Sequence, residues 1–247
     1  MAKKSKEEKS RGALAAQIRA EQARKDRTRN IIAGIGVLAI VSGLIAAAVI
    51  FSPEPKSSKV TVNQIKAPVT ATEHGLRLGK ETAPTQVVVY EDFQCPYCRE
   101  FENASRSFFH EAAEQGKLSV EYRPLNLPGL DPYSIDSINA WRAIVKHGTP
   151  KQALQMHDVL FEKQPYETAT DKPTASDIKG WAKKLGVGQA ALDAMKSPDK
   201  SLVEAANQTA EDAGVTGTPT VFLNGTKIEG ASPQQMVEKI QQAVNAG

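Results

Sequence analysis

The pattern of apolar and polar positions divides the chain into one long apolar run and, after it, a series of short periodic ones. Residues 31–51 are 21 consecutive uncharged, mostly apolar positions. As a helix this run covers about 30 Å, the thickness of a bilayer's hydrocarbon core, so it predicts a transmembrane helix. A cleaved signal peptide is the main rival, because Ala46-Ala47-Ala48 resembles a small-residue cleavage site. The polar region ahead of the run is 30 residues long, however, and the run exceeds the roughly 7–15 apolar residues of a signal core. The pattern therefore favours an uncleaved anchor.

Downstream the periods are shorter. Val87, Val88 and Val89 stand together within 86–90, which reads as a strand buried on both faces. Cys98, Phe101, Ser105, Phe108 and Ala112 then recur at intervals of three and four, one face of a helix that Gly116 ends. Leu118, Val120 and Tyr122 alternate with Ser119, Glu121 and Arg123, the period of a half-buried strand. The order strand, helix, strand is a βαβ unit. Residues 131–214 read as almost entirely helical, with starts at Thr149-Pro150 and Thr174-Ala175-Ser176-Asp177. Their apolar faces are Ile135, Ile138, Trp141 and Val145; Ala153, Met156, Leu160 and Phe161; and Ile178, Trp181 and Leu185. Thr220–Leu223 and Thr226–Ile228 form a hairpin about Asn224-Gly225, a pair suited to two positive φ angles. Ser232-Pro233 opens a last helix bearing Met236, Ile240 and Val244. Residues 60–83 give only one strand and a loop.

Charge orients the apolar run. Residues 1–30 hold ten basic and four acidic side chains, net +6, and residues 52–247 hold 21 and 24, net −3. Basic flanks stay on the cytoplasmic side, which places residues 52–247 outside the cytoplasm. The folded part has no basic excess, so a nucleic-acid partner is excluded. The expected organisation is a basic cytoplasmic tail at 1–30, a transmembrane helix at 31–51, a stem at 52–74 rich in Pro and Ser at its start, and one α/β domain at 75–247.

The candidate chemistry lies in Cys95-Pro96-Tyr97-Cys98, which contains both cysteines of the chain. The pair falls between the first strand of the βαβ unit and its helix. Helix-terminal N–H groups and the positive end of the dipole favour a thiolate at Cys95. Cys98, one turn in on the apolar face, is expected to be buried and to resolve mixed disulfides. A zinc site draws about four ligands, and His74, His110, His147 and His157 are scattered along the chain, so no metal is expected. A structural disulfide across so small a loop stabilises little. Redox catalysis is the reading that remains.

Val215-Thr216-Gly217-Thr218-Pro219-Thr220, ahead of the hairpin, completes a pattern that resembles the thioredoxin superfamily. Within it the chain looks most like the DsbA family of thiol oxidases. The resemblance runs from about Gly75 to Gly247, through Asp92-Phe93-Gln94 and the cysteine pair, the helical block and 216–223. It implies a thioredoxin-like fold with a helical insertion over about 131–214. It also implies a cis Thr218–Pro219 bond beside Cys95, and a Thr218 backbone that pairs with substrate. There are two departures from the family pattern. Tyr97 stands where the best-known member has histidine, and Val89 stands where a buried glutamate is common. Glu91 and Asp92 are nearby, read either as loop carboxylates or as proton carriers for Cys98.

The expectation is a membrane-anchored, extracytoplasmic thiol:disulfide oxidoreductase. It donates the Cys95–Cys98 disulfide to unfolded exported proteins and uses no cofactor. The resemblance adds reoxidation by a quinone-linked membrane partner, either DsbB-like or vitamin K epoxide reductase-like. The alternatives are a reductase or isomerase on the same fold, or a non-enzymatic domain that binds exported peptides.

Overall fold

The computed structural model describes residues 65–126, 132–196 and 200–246. The apolar run at 31–51, the basic tail and most of the stem lie outside the described residues. Among the described residues, no helix is long and apolar enough to cross a membrane.

Six strands form one mixed sheet. They are β1 (Val69–Ala71), β2 (Leu76–Leu78), β3 (Thr85–Glu91), β4 (Leu118–Pro124), β5 (Thr220–Leu223) and β6 (Thr226–Ile228), ordered β1-β2-β4-β3-β5-β6. β3 and β4 run parallel, with Val87 opposite Val120 and Val89 opposite Tyr122. All other pairs are antiparallel. The parallel pair is joined by α1 (Pro96–Glu114), as a crossover between parallel strands requires. The βαβ unit is thus present. Its helix ends with Gly116 at φ 74°, a conformation glycine adopts without steric cost.

Among the described residues, the regular elements of the insertion are all helices: α2 (Pro132–His147), α3 (Pro150–Glu162), α4 (Ala175–Lys184), α5 (Gln189–Ala194) and α6 (Lys200–Asp212). Thr149 and Thr174 cap α3 and α4, each in a reciprocal capping box, with Gln152 and Asp177 respectively. α2 is the hub, packing on α3, α4, α5 and α6. α3 packs on α1, β1 and β2, which ties the insertion to the sheet. The last helix, α7 (Pro233–Ala246), packs on α1 and buries Met236, Ile240 and Val244. Asn224 and Gly225 turn the β5–β6 hairpin at φ 49° and 79°.

Four expectations change. First, the folded unit begins before residue 75. Ile65 and Ala67 are buried in the main core, and β1 adds a strand to the sheet through β2. Three residues, Val69-Thr70-Ala71, are too few to show a period. Second, β4 is buried on both faces. Its polar Glu121 is tolerated there because Arg123 donates to it at 3.0 Å and Thr72 at 2.8 Å. Third, Phe109 lies fully inside on α1, while Phe108 is half-buried. Fourth, Ile135 on α2 is 41 % exposed, and Ser134 and Ser137 turn inward in its place.

Candidate active site

Cys95 is the N-cap of α1, with Pro96 in the first turn. Proline suits that position because its missing N–H would have no partner there anyway. The loop before it is tightly fixed. Asp92 accepts the Cys95 N–H on its backbone carbonyl at 3.0 Å and the Gln94 N–H on Oδ1 at 2.8 Å. Ser134 of α2 donates to the same Oδ1 at 2.7 Å. From the loop after α3, the Gln164 side-chain amide donates to the Phe93 carbonyl at 2.8 Å and the Cys95 carbonyl at 2.9 Å. Arg99 returns a bond to the Gln164 carbonyl at 3.3 Å, and its guanidinium lies 5.5 Å from the Tyr166 ring centre.

The structure brings together the residues singled out from the sequence. The Thr218–Pro219 bond is cis, and the Cys95 thiol donates to the Thr218 carbonyl at 3.3 Å across 123 positions of chain. Both cysteines are thiols. Cys95 keeps 7 % of its surface exposed and Cys98 only 1 %, so Cys95 is the sulfur an incoming thiol can reach. Tyr97 projects outward at 62 % exposure, and Pro96 is half-buried beside it.

The two sulfurs are electrostatically opposite. The Cys95 pKa falls from an ordinary 9.0 to about 6. The largest cause is a hydrogen bond from the Cys98 thiol to the Cys95 thiolate, working against burial. Thr218 and the Cys98 and Tyr97 N–H groups add smaller contributions. As a neutral thiol Cys95 donates to the Thr218 carbonyl, and Thr218 also favours its thiolate. The helix N-terminus thus contributes through those N–H groups, but the partner sulfur contributes more. Cys98 is pushed well above its ordinary range, first by burial, then by its bond to Cys95, and further by the charges of Cys95 and Glu91.

The sequence did not reveal the polar cluster behind the pair. Glu91 and Asp92 are fully buried, so neither is a loop carboxylate at the surface. His157 of α3 lies 2.6 Å from Glu91 through Nε2 and 3.6 Å from Asp158 through Nδ1. Arg106 holds Asp158 at 3.1 Å. Burial alone would lower the His157 pKa, but Glu91 and Asp158 win, and it rises to about 10. Glu102 of α1 is pushed up to about 8 by burial and by the Glu91 charge. His157 is therefore not one of four scattered histidines but the centre of a buried ionic group.

A dithiol at the start of the helix that follows the first strand of a parallel pair, facing a cis-proline loop, defines a thioredoxin-fold protein. The chain belongs to the thioredoxin family, whose model, described as Thioredoxin, matches residues 71–244. It is a DsbA-like member of it. A probable disulfide bond formation protein D of Bacillus cereus is 28% identical over 199 residues, which are 79% of this chain and 86% of that protein. The oxidised DsbA of Mycobacterium tuberculosis superposes with a TM-score of 0.57 at 25% identity, covering 72% of this chain and 92% of that one. The MdbA thiol-disulfide oxidoreductase of Corynebacterium diphtheriae shares the fold, with a TM-score of 0.58 at 22% identity over 74% of this chain and all of that one. Two Salinispora Na(+)/H(+) antiporters also match at 28% and 29% identity, but there the chain spans only 22% of the antiporter's length.

Proposed function

We propose that this protein is an extracytoplasmic thiol:disulfide oxidoreductase that donates the Cys95–Cys98 disulfide to exported proteins. A substrate thiolate attacks the Cys95 sulfur and the S–S bond breaks, leaving Cys98 as a thiolate that takes up a proton. A second substrate thiolate then attacks the mixed disulfide on the substrate sulfur. Cys95 departs as a thiolate, the substrate gains a disulfide, and the enzyme is left with two electrons and a reduced pair. The extended substrate pairs with the Thr218 backbone, with Tyr97 exposed beside it. Residues 31–51 anchor the chain with its N-terminus in the cytoplasm. A quinone-linked membrane partner, DsbB-like or vitamin K epoxide reductase-like, restores the disulfide.

One observation carries this reading: the sulfur that can be reached is the one with a pKa of about 6. A thiolate stable at neutral pH is a good leaving group, and its stability in the reduced form makes the disulfide oxidising. The relatives named for disulfide formation support the same direction. The test is a glutathione titration of the purified protein, together with its ability to oxidise a reduced, unfolded substrate. A potential well above thioredoxin's, about −270 mV, is expected, and one as low as that would overturn donation in favour of reduction. Topology has a separate test. A reporter joined after Gly247 that is active only in the cytoplasm would overturn the proposed orientation.

A further inference from the structure

The redox chemistry leaves unused a group of side chains buried beneath it. Glu91 ends β3, Glu102 lies in the second turn of α1 and His157 lies in α3. All three are fully buried, and one ligand atom from each lies within 4.8 Å of the other two. Neither carboxylate oxygen of Glu102 has a hydrogen-bond partner. A buried carboxyl with both oxygens unsatisfied costs free energy and calls for an explanation. The second oxygen of Glu91, Oε2, is also buried without a partner.

We infer that Glu91, Glu102 and His157 form a three-ligand site for a single zinc ion, taken up as the chain folds.

The donor set fits. Two carboxylates and an imidazole are oxygen and nitrogen ligands of the kind zinc accepts, at about 2.0–2.2 Å, and three protein ligands leave a fourth position for water. Ligand atoms around such an ion stand a little over 3 Å apart on average, within the spread of this cluster. Binding exchanges the short Glu91–His157 hydrogen bond for two bonds to the ion, and Glu102 loses no partner because it has none. Outer contacts are already in place. The His157 Nδ1 stands 3.6 Å from Asp158, an ion-pair distance, and Arg106 holds Asp158 in place at 3.1 Å.

The charges fit as well. With Glu91, Glu102 and Asp158 ionised against Arg106 and a protonated His157, the group carries one surplus negative charge. Burial opposes that surplus, whereas a bound divalent ion beside a neutral His157 leaves the group without net charge. The site differs from a thiolate zinc centre, and its three ligands lie 11 and 55 positions apart along the chain.

The cysteine pair can bind zinc itself when reduced, so the test uses the full-length protein with Cys95→Ser and Cys98→Ser together. This protein is refolded with zinc, freed of excess ion and assayed for bound metal. In parallel, its unfolding midpoint is followed against free zinc. About one zinc per chain and a rising midpoint are expected, with at least tenfold weaker binding after adding Glu102→Gln. Retention of fold in that variant is checked by circular dichroism, and His157→Gln serves as a second variant. If the parent protein takes up no zinc and its midpoint does not move, the inference fails whatever the variants do. It also fails if both variants bind zinc as tightly as the parent, or if only calcium or magnesium binds.

Discussion

The sheet and the helical insertion meet at the same active-site loop but hold it by different means. From the sheet side the hold is mostly backbone: the end of β3, the first N–H groups of α1 and the Thr218 carbonyl. From the insertion side it is side chains: Ser134 on Asp92, Gln164 on the Phe93 and Cys95 carbonyls, and His157 on Glu91. Backbone geometry places the sulfurs; side chains 42 to 71 positions away fix the loop and set the field around it. Location and tuning of the redox pair are therefore separable, and substitutions in the two regions have different signatures.

The largest effect belongs to the sheet side. Cys95→Ser abolishes disulfide exchange, whereas Cys98→Ser accumulates a mixed disulfide at Cys95, visible as a substrate adduct on non-reducing gels. Adducts in Cys95→Ser but not in Cys98→Ser would reverse the assigned roles. On the insertion side, His157→Ala leaves the Glu91 charge buried and unpaired, at about 3–5 kcal/mol of stability in denaturant unfolding. A loss near zero would show that the insertion's ion pair does not help to hold the two regions together.

The pH dependence sharpens the contrast. The Cys95 thiol ionises near 9.0 when unfolded and near 6 when folded. Because the folded value is the lower, the gain in stability is complete above about pH 9 and lost below about pH 6. Relative to oxidised protein, reduced protein should thus gain on the order of 4 kcal/mol from pH 6 to 9, while His157 and Glu102, whose pKa values are raised, weaken both redox states alike over that range. Above pH 9 the raised Cys98 pKa reverses the trend, since its unfolded thiol ionises first. Equal pH profiles for the two redox states would break the link between the thiolate and the fold.

Gln164→Ala frees two buried carbonyls and should cost about 1–3 kcal/mol. It should also shift the pH midpoint of Cys95 alkylation, because a looser loop no longer holds the thiolate's donors in place. A stability loss with an unmoved midpoint would confine Gln164 to packing. The smallest effect is expected far from the loop. Asn224→Ala removes the side-chain acceptor of the Gln86 N–H at 2.8 Å and a residue tolerant of positive φ, for about 1 kcal/mol and no change in redox behaviour.

What was legible in the sequence follows the same division. The βαβ unit, the caps at Thr149 and Thr174, the Asn224-Gly225 turn and the place of Cys95 all rest on signals within a few residues. Each came through into the structure. The Thr218 loop needed the family resemblance, since an X-Pro bond alone says little. His157, Glu102 and Gln164 were missed, and Glu91 was left between two readings, because their meaning lies in contacts between residues far apart along the chain. One local sign was available: Glu102 interrupts the buried face of α1, where an apolar residue was due. Ile135 misled for the opposite reason, as the inward positions of α2 were occupied by two serines, one of which, Ser134, bonds to the loop.

The grip of Gln164 on the Phe93 and Cys95 carbonyls has a consequence for engineering. The insertion resembles a module that could be trimmed away to leave a compact sheet with its sulfur pair. Such a minimised enzyme would keep the motif yet lose the clamp on its loop and the partner of Glu91. In this architecture, shrinking the scaffold and preserving the reactivity of the pair are competing aims.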